Sequence, residues 1–199
     1  MTRRIPNFTE LTGILCCGDA RHILELEPVL TDAIEELGPM VGFSQHSPHH
    51  AYDLYTHTAY VTGGTGRDAC LRWAALLHDI GKVDTFTQDE NGRGHFRGHA
   101  QASAGKADIV LRRLGAPDDL RRTVVTLIEN HMLPLEKEGV LEAQLERMGK
   151  KTLALLIDLQ EADHAGKGTA ESQNVEQFSR IRDHFTLLHT QRYLQEEPR

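Results

Sequence analysis

The 199-residue sequence predicts an all-α fold, a helical bundle interrupted once by a short loop or hairpin. Three observations carry this expectation. Apolar residues recur in mixed steps of three and four, as in Leu24, Leu26, Leu30, Ile34 and Leu37, the pattern of a helix with one buried face. Glycine- and proline-bearing breaks separate these runs, at Gly18-Asp19, Gly38-Pro39, Gly63–Gly66, Gly115-Ala116-Pro117, Pro134 and Gly149. Only residues 82–98 depart from helical spacing, around the turn Asp89-Glu90-Asn91-Gly92. The length suits one domain with a real core. We divide it into a helical scaffold (1–40), a chemistry-bearing centre (41–165) and a C-terminal helix (170–199).

In chain order, residues 1–8 read as loose, and the helical pattern runs from Leu11 to Leu37. Gly18-Asp19 supplies a break and cap, a second start falls at Thr31-Asp32 after Pro28, and Gly38-Pro39 is the stop. Pro48 leads into a helix carrying Asp53, His57, Tyr60 and Val61 on one side. The i, i+4 spacing of Asp53 and His57 would let the carboxylate orient the imidazole, although such a pair is also common on a plain surface helix. Residues 67–79 form a strongly apolar helix whose burial would carry His78 and Asp79 inside. Helices follow over His99–Leu114, from Asp118 to His131, over 139–148 and through Leu153–Asp163. A last one spans 174–195, with Val175, Phe178, Ile181, Phe185, Leu188 and Tyr193 near one stripe, as a lid or support.

Composition narrows the function classes. The formal net charge of −7 argues against a broad basic surface for nucleic acid, leaving room for a local phosphate pocket. RNA binding is therefore possible but has no support from charge. Three cysteines, Cys16, Cys17 and Cys70, show no zinc spacing and suit a reducing cytosol. No apolar run reaches the ~18 residues of a membrane span, and no signal segment opens the chain. The expectation is a cytoplasmic protein without a membrane partner; its oligomeric state is not readable.

Histidine is the outlier, at 12 residues, mostly between His46 and His131. His57, His78, Asp79, His99, His131 and Asp163 fall on or at the ends of expected helices. Each alone has a plain explanation, such as a satisfied core histidine or a salt-bridged aspartate. A buried carboxylate without a partner is costly, however, and two of them among four histidines favour a nearby cation. Mixed imidazole and carboxylate ligands suit Mn, Fe, Co, Ni or Zn, with Mg possible, better than Ca. Six ligands could hold one or two ions, with Asp79 bridging. Two close ions suit in-line displacement at phosphorus by a metal-activated water. Lys82, His95 and Arg97 could neutralise the phosphate, or be ordinary solvated charges.

The ordered segments resemble a known family. His57, His78-Asp79 and Asp163 are similar to the H…HD…D signature of the HD-domain metal-dependent phosphohydrolases, and Leu-Leu-His-Asp-Ile-Gly-Lys at 76–82 is similar to its central motif. His50, Tyr52, His57-Thr58, Phe-Arg-Gly-His at 96–99 and Asn-His-Met at 130–132 resemble the HD region of bacterial CCA-adding tRNA nucleotidyltransferases. The resemblance covers roughly residues 20–165. It implies an all-helical HD domain with metal at His57, His78, Asp79 and Asp163, joined by His99 and His131 when two ions bind. His50 and Asp53 would stand behind the ligands. The implied activity is a metal-dependent phosphohydrolase acting on a small phosphorylated substrate, a nucleotide monoester or diester, of nucleotidase or 2′,3′-cyclic phosphodiesterase type, with Asp79 and Lys82 as catalytic residues. Alternatives are a non-catalytic, metal-stabilised nucleotide- or RNA-binding module, or a stand-alone partner of a separate nucleotidyltransferase. Nothing before residue 40 could hold a nucleotidyltransferase head, so nucleotide addition is not carried over.

Overall fold

The computed structural model describes residues 4–196, with side chains to 190. Helix α1 (Phe8–Cys17) starts earlier than its apolar pattern suggests. Asn7 closes a capping box with Glu10, satisfying donors that the first turn leaves open. Asp19 caps α2 (Ala20–Glu25) as expected, accepting from the His22 amide. Helix α3 (Glu27–Ala33) begins before Thr31, because Pro28 occupies its first turn, where a missing N–H costs nothing. Gly38-Pro39 does not stop the chain there but sits inside a 3-10 segment, Glu35–Met40.

Helix α4 (Leu54–Gly64) lies against α2, where Gly63 permits the contact; a Cβ there would stand 2.1 Å from the Ala20 nitrogen. Helix α5 (Ala69–Leu77) is the centre of the bundle, with every residue from Leu71 to Leu77 buried. Trp73 stacks on Phe8 at 5.3 Å and donates its indole N–H to Thr12 Oγ1 at 2.9 Å, so the ring is buried without stranding a donor. Arg72 is buried as well. Its guanidinium donates to the carbonyls of Gly66, Gly18 and Thr65, closing the chain exits of α1 and α4.

After the His78–Gly81 turn comes a one-turn helix, α6 (Lys82–Thr85), which the sequence did not suggest, and then the expected hairpin. Strands β1 (Thr87–Gln88) and β2 (Gly94–His95) pair antiparallel, Thr87 opposite His95. Phe43 packs edge to face on Phe86 and Phe96, which are tilted against each other, beneath the hairpin. Gly94 donates its N–H to the His46 carbonyl, clasping β2 to the 45–46 loop.

Helices α7 (His99–Leu114) and α8 (Asp118–Asn130) pack on each other, and α8 also covers α5. Gly115 takes the left-handed conformation that ends α7. Helix α9 (Val140–Gly166) is broken at Gly149 (φ 76, ψ 165), where the sequence places a boundary, and packs along α4 and α5. Helix α10 (Glu176–Glu196) buries Phe178 and Ile181 against α9, while Val175 is exposed. Tyr193 lies outside the described side chains. Among the described residues α10 supports α9 and lines no part of the cleft above Asp79, so it is not a lid there. No described helix is long and apolar enough to cross a membrane.

Candidate metal centre

Five helices deliver the six expected ligands to one point, mostly from their ends. His78 caps the C-terminus of α5, and Asp79 follows it into the turn. His99 opens α7, His131 caps α8, Asp163 stands in the last turn of α9, and His57 sits within α4. Helix ends suit this work, since their last carbonyls lack intrahelical partners. His78 Nδ1–H donates to the Ala75 carbonyl at 2.8 Å, His131 to Ile128 at 2.7 Å and His99 to Phe96 at 2.8 Å, each three residues back. His57 Nδ1–H donates instead to the Gly166 carbonyl at 3.0 Å. A carbonyl can only accept, so all four rings keep the proton on Nδ1 and turn an Nε2 lone pair inward when neutral.

The Nε2 atoms surround Asp79 in two groups. His57, His78 and Asp163 lie together on one side, and Asp79, His99 and His131 on the other; within each group the ligand atoms are within 4.8 Å of one another. Asp79 Oδ2 is 3.5 Å from His57 Nε2 and 3.1 Å from His78 Nε2. Its Oδ1 is 3.5 Å from His99 Nε2 and 3.9 Å from His131 Nε2. Asp163 Oδ1 completes the first group, 3.1 Å from His57 Nε2.

Of these contacts only His99 Nε2 and His131 Nε2, 3.2 Å apart, are aligned for a hydrogen bond, and with both protons on Nδ1 two lone pairs meet there instead. His57 Nε2, His78 Nε2 and Asp79 Oδ1 are buried without a hydrogen-bond partner, and Asp79 Oδ2 has the Lys82 ammonium as its ion-pair partner. Three such orphans in one core would be expensive if they faced one another. Lone pairs aimed at shared points are what a cation requires, so the residues fit one or two metal ions.

The charge balance agrees with this. Burial opposes a proton on His78, but Asp79 and Asp163 outweigh it and push the ring up to about 10. His57 moves up in the same way, its burial outweighed by Asp163 and Asp79. Both carboxylates are held well below the usual range despite burial, Asp79 chiefly by His78 and Lys82, and Asp163 by His57 and His78. Burial and the charge on His78 push His131 down to about 4, and burial lowers His99. The two carboxylates thus favour protons on His57 and His78, which stand in for positive charge, while His99 and His131 are held neutral.

A cleft of about 320 Å³ opens on this centre, lined by Asp79, His99, His131 and Asp163 at its base and by basic groups at its rim. Lys82 is buried in the wall. Its ammonium pairs with Asp79 Oδ2 at 2.8 Å, donates to Gln45 Oε1 at 2.9 Å and lies over the Phe96 ring. His95 lines the cleft but is tied to Asp89 of its own hairpin at 3.0 Å. Arg97 stands at the rim, joined by Arg93 and Lys167, which sequence reasoning missed. Lys167 follows Asp163 by one helical turn, and Arg93 lies between two glycines of the hairpin; either spacing was a readable hint. Among the described residues neither Arg97 nor Lys167 has an ion-pair partner.

One expectation needs correction. Asp53 does not orient His57. It is the N-cap of α4, accepting from the Thr56 amide and hydroxyl, because a carboxylate at the first residue outside a helix finds open N–H groups before it finds a ring a turn away. The orienting group is the Gly166 carbonyl, on another helix. His50 packs edge-on against the His57 ring, 5.0 Å between centroids, and also lines the cleft.

Comparison with known proteins agrees with this layout. A family model described as "HD domain" matches residues 45–166. The A-adding tRNA nucleotidyltransferase of Deinococcus radiodurans is 32% identical over 174 residues, covering 82% of this chain and 40% of that protein. The multifunctional CCA proteins of Azoarcus sp. and Aromatoleum aromaticum are 31% and 29% identical, covering 78% and 68% of this chain and 42% and 36% of their own lengths. The chain therefore spans less than half the length of these relatives.

Proposed function

The chain belongs to the HD domain family, and from that premise we propose that it is a metal-dependent phosphohydrolase acting on a nucleotide phosphate monoester or diester. The observation that carries the reading is the set of orphaned, buried lone pairs around Asp79 at the base of a cation-rimmed cleft. His57, His78, Asp79 and Asp163 would hold one divalent ion, and Asp79, His99 and His131 a second. Such ions supply a Lewis acid for phosphoryl oxygens and a water of lowered pKa. Lys82 keeps Asp79 ionised from within the wall. Arg93, Arg97 and Lys167 neutralise the phosphate at the mouth, and Phe96 with the exposed Met132 offers an apolar wall to a sugar or base.

The test is hydrolysis by metal-reconstituted protein of nucleoside monophosphates, 2′,3′-cyclic nucleotides and a generic diester, each with Mn, Ni, Co and Mg. Turnover is expected with one ester class. Silence across the panel with metal shown to be bound would overturn the reading. Arg97→Ala and Lys167→Ala are expected to raise KM by roughly tenfold each with kcat little changed, since they stand at the rim of the cleft and are not among the ligands.

Proton competition gives a second expected result. His57 and His78 must release their protons before their lone pairs can serve, so metal affinity falls as pH drops from 8 to 6. The loss should correspond to at least one proton, that of His78, released by the first ion at neutral pH, and to none from His99 and His131 for a second. Calorimetry in buffers of different ionisation enthalpy counts them directly, and a pH-independent affinity would contradict the assignment.

The relatives' names support a second reading. Because they are tRNA nucleotidyltransferases, the chain could be a metal-stabilised module that binds a nucleotide or an RNA end for such an enzyme. It predicts tight tRNA binding without turnover.

A further inference from the structure

Gln45 lies in the loop before α4 and is 2% exposed, a buried polar side chain outside the metal centre. Its amide touches two groups. Gln45 Oε1 is 2.9 Å from Lys82 Nζ, and Nε2 is 3.0 Å from His50 Nδ1. The ammonium of Lys82 has donors only, so the amide oxygen must face it, and the amide nitrogen must then face His50. An amide N–H can only donate, so His50 Nδ1 accepts and its ring proton resides on Nε2. No other orientation satisfies both contacts.

His50 lines the cleft beside Asp79, Lys82 and Arg97. With Nδ1 occupied, Nε2–H is the only hydrogen-bonding group it has left, and it makes no hydrogen bond among the described residues. The four ligand rings are in the opposite tautomer, each with its proton on Nδ1 and a lone pair inward. His50 is thus wired as a donor where the four ligand rings beside it are wired as acceptors.

We propose that Gln45 is a positioning residue that holds His50 as a neutral Nε2–H donor for a phosphate oxygen of the substrate. The ligand rests on the hydrolase reading above; the tautomer does not. His50 binds an anion without transferring a proton, and the amide couples it to Lys82, so that the two donors are set as a unit. The 45–46 loop is itself pinned, since Gly94 donates to the His46 carbonyl and a Cβ at Gly94 would stand 2.4 Å from the Gln45 carbonyl oxygen.

The test is long-range ¹H–¹⁵N spectroscopy of the zinc-loaded protein labelled in histidine, with His50 identified by its loss in His50→Gln. The wild type is expected to show His50 with a protonated Nε2 and a bare Nδ1. Gln45→Glu, of nearly the same shape, presents only acceptors, so Nδ1 should become protonated. Gln45→Ala should give a mixture of tautomers. Inorganic phosphate added to the wild type should move the His50 Nε2 signal, and its affinity should fall roughly tenfold in Gln45→Glu with metal content unchanged. A bare Nε2 in the wild type, or an unaltered ring in Gln45→Glu, would overturn the positioning role. An Nε2 signal indifferent to phosphate would overturn the donor role. Both readouts are independent of turnover, so a silent hydrolysis panel would count against the function and leave the tautomer assignment to stand or fall alone.

Discussion

Asp79→Ala is expected to abolish metal binding and phosphate-ester turnover together, each by at least a thousandfold, on the order of 4 kcal/mol. The reason is position. One carboxylate faces both groups of ligands, Oδ2 toward His57 and His78 and Oδ1 toward His99 and His131, so no other side chain can replace it. The same change removes the counter-ion of the buried Lys82, and stranding one partner of a buried pair costs about 3–5 kcal/mol. Asp79→Asn keeps the shape and removes only the charge, so it too should lose metal and leave Lys82 without its counter-ion, showing that charge rather than volume is responsible. Metal content, turnover and thermal unfolding measured on both variants check the account. Turnover retained by folded Asp79→Ala would sink the assignment.

Gly81→Ala should damage stability and the metal centre together. Gly81 has an ordinary backbone (φ −85, ψ −9), so conformational freedom is not its purpose; room is. A Cβ would stand 2.5 Å from the Ser103 nitrogen and 2.8 Å from Ala102 Cβ, where the turn after Asp79 meets α7. Its N–H also donates to Ser103 Oγ at 2.9 Å, locking turn to helix. Overpacking of this kind costs about 1–3 kcal/mol, or roughly 2–12 °C in Tm for a chain of this size. The displaced helix is the one that opens with His99, so turnover should fall along with stability. Gly105→Ala is the control on the same helix. Nothing lies within 4 Å of its Cβ, and it is expected to be neutral or to stabilise by about 0.5–1 kcal/mol. Equal Tm values for the two variants would contradict this account of Gly81.

Local chemistry explains which features were readable. The span of α7 was, because a left-handed glycine and a proline bound its end. The kink at Gly149 and the hairpin after Lys82 were readable for similar reasons. The start of α3 was missed because Pro28 looks like a break in sequence and acts as a first-turn residue in space. Asp53 misled because i, i+4 spacing states that two side chains could meet, while an N-cap offers the carboxylate nearer partners.

By itself the sequence determined the helical class, the identity of six ligand-type residues and their association with helix ends, since periodicity, caps and residue chemistry are local properties. Tertiary structure alone decided how those residues divide into two groups about Asp79. It also decided that Gly166 rather than Asp53 holds His57, that Arg93 and Lys167 reach the rim, and that Gln45 joins Lys82 to His50. Each of these depends on a distance between segments separated along the chain, by as many as 109 residues for His57 and Gly166, and no local pattern encodes a distance. Packing of α4, α5, α7, α8 and α9 sets it.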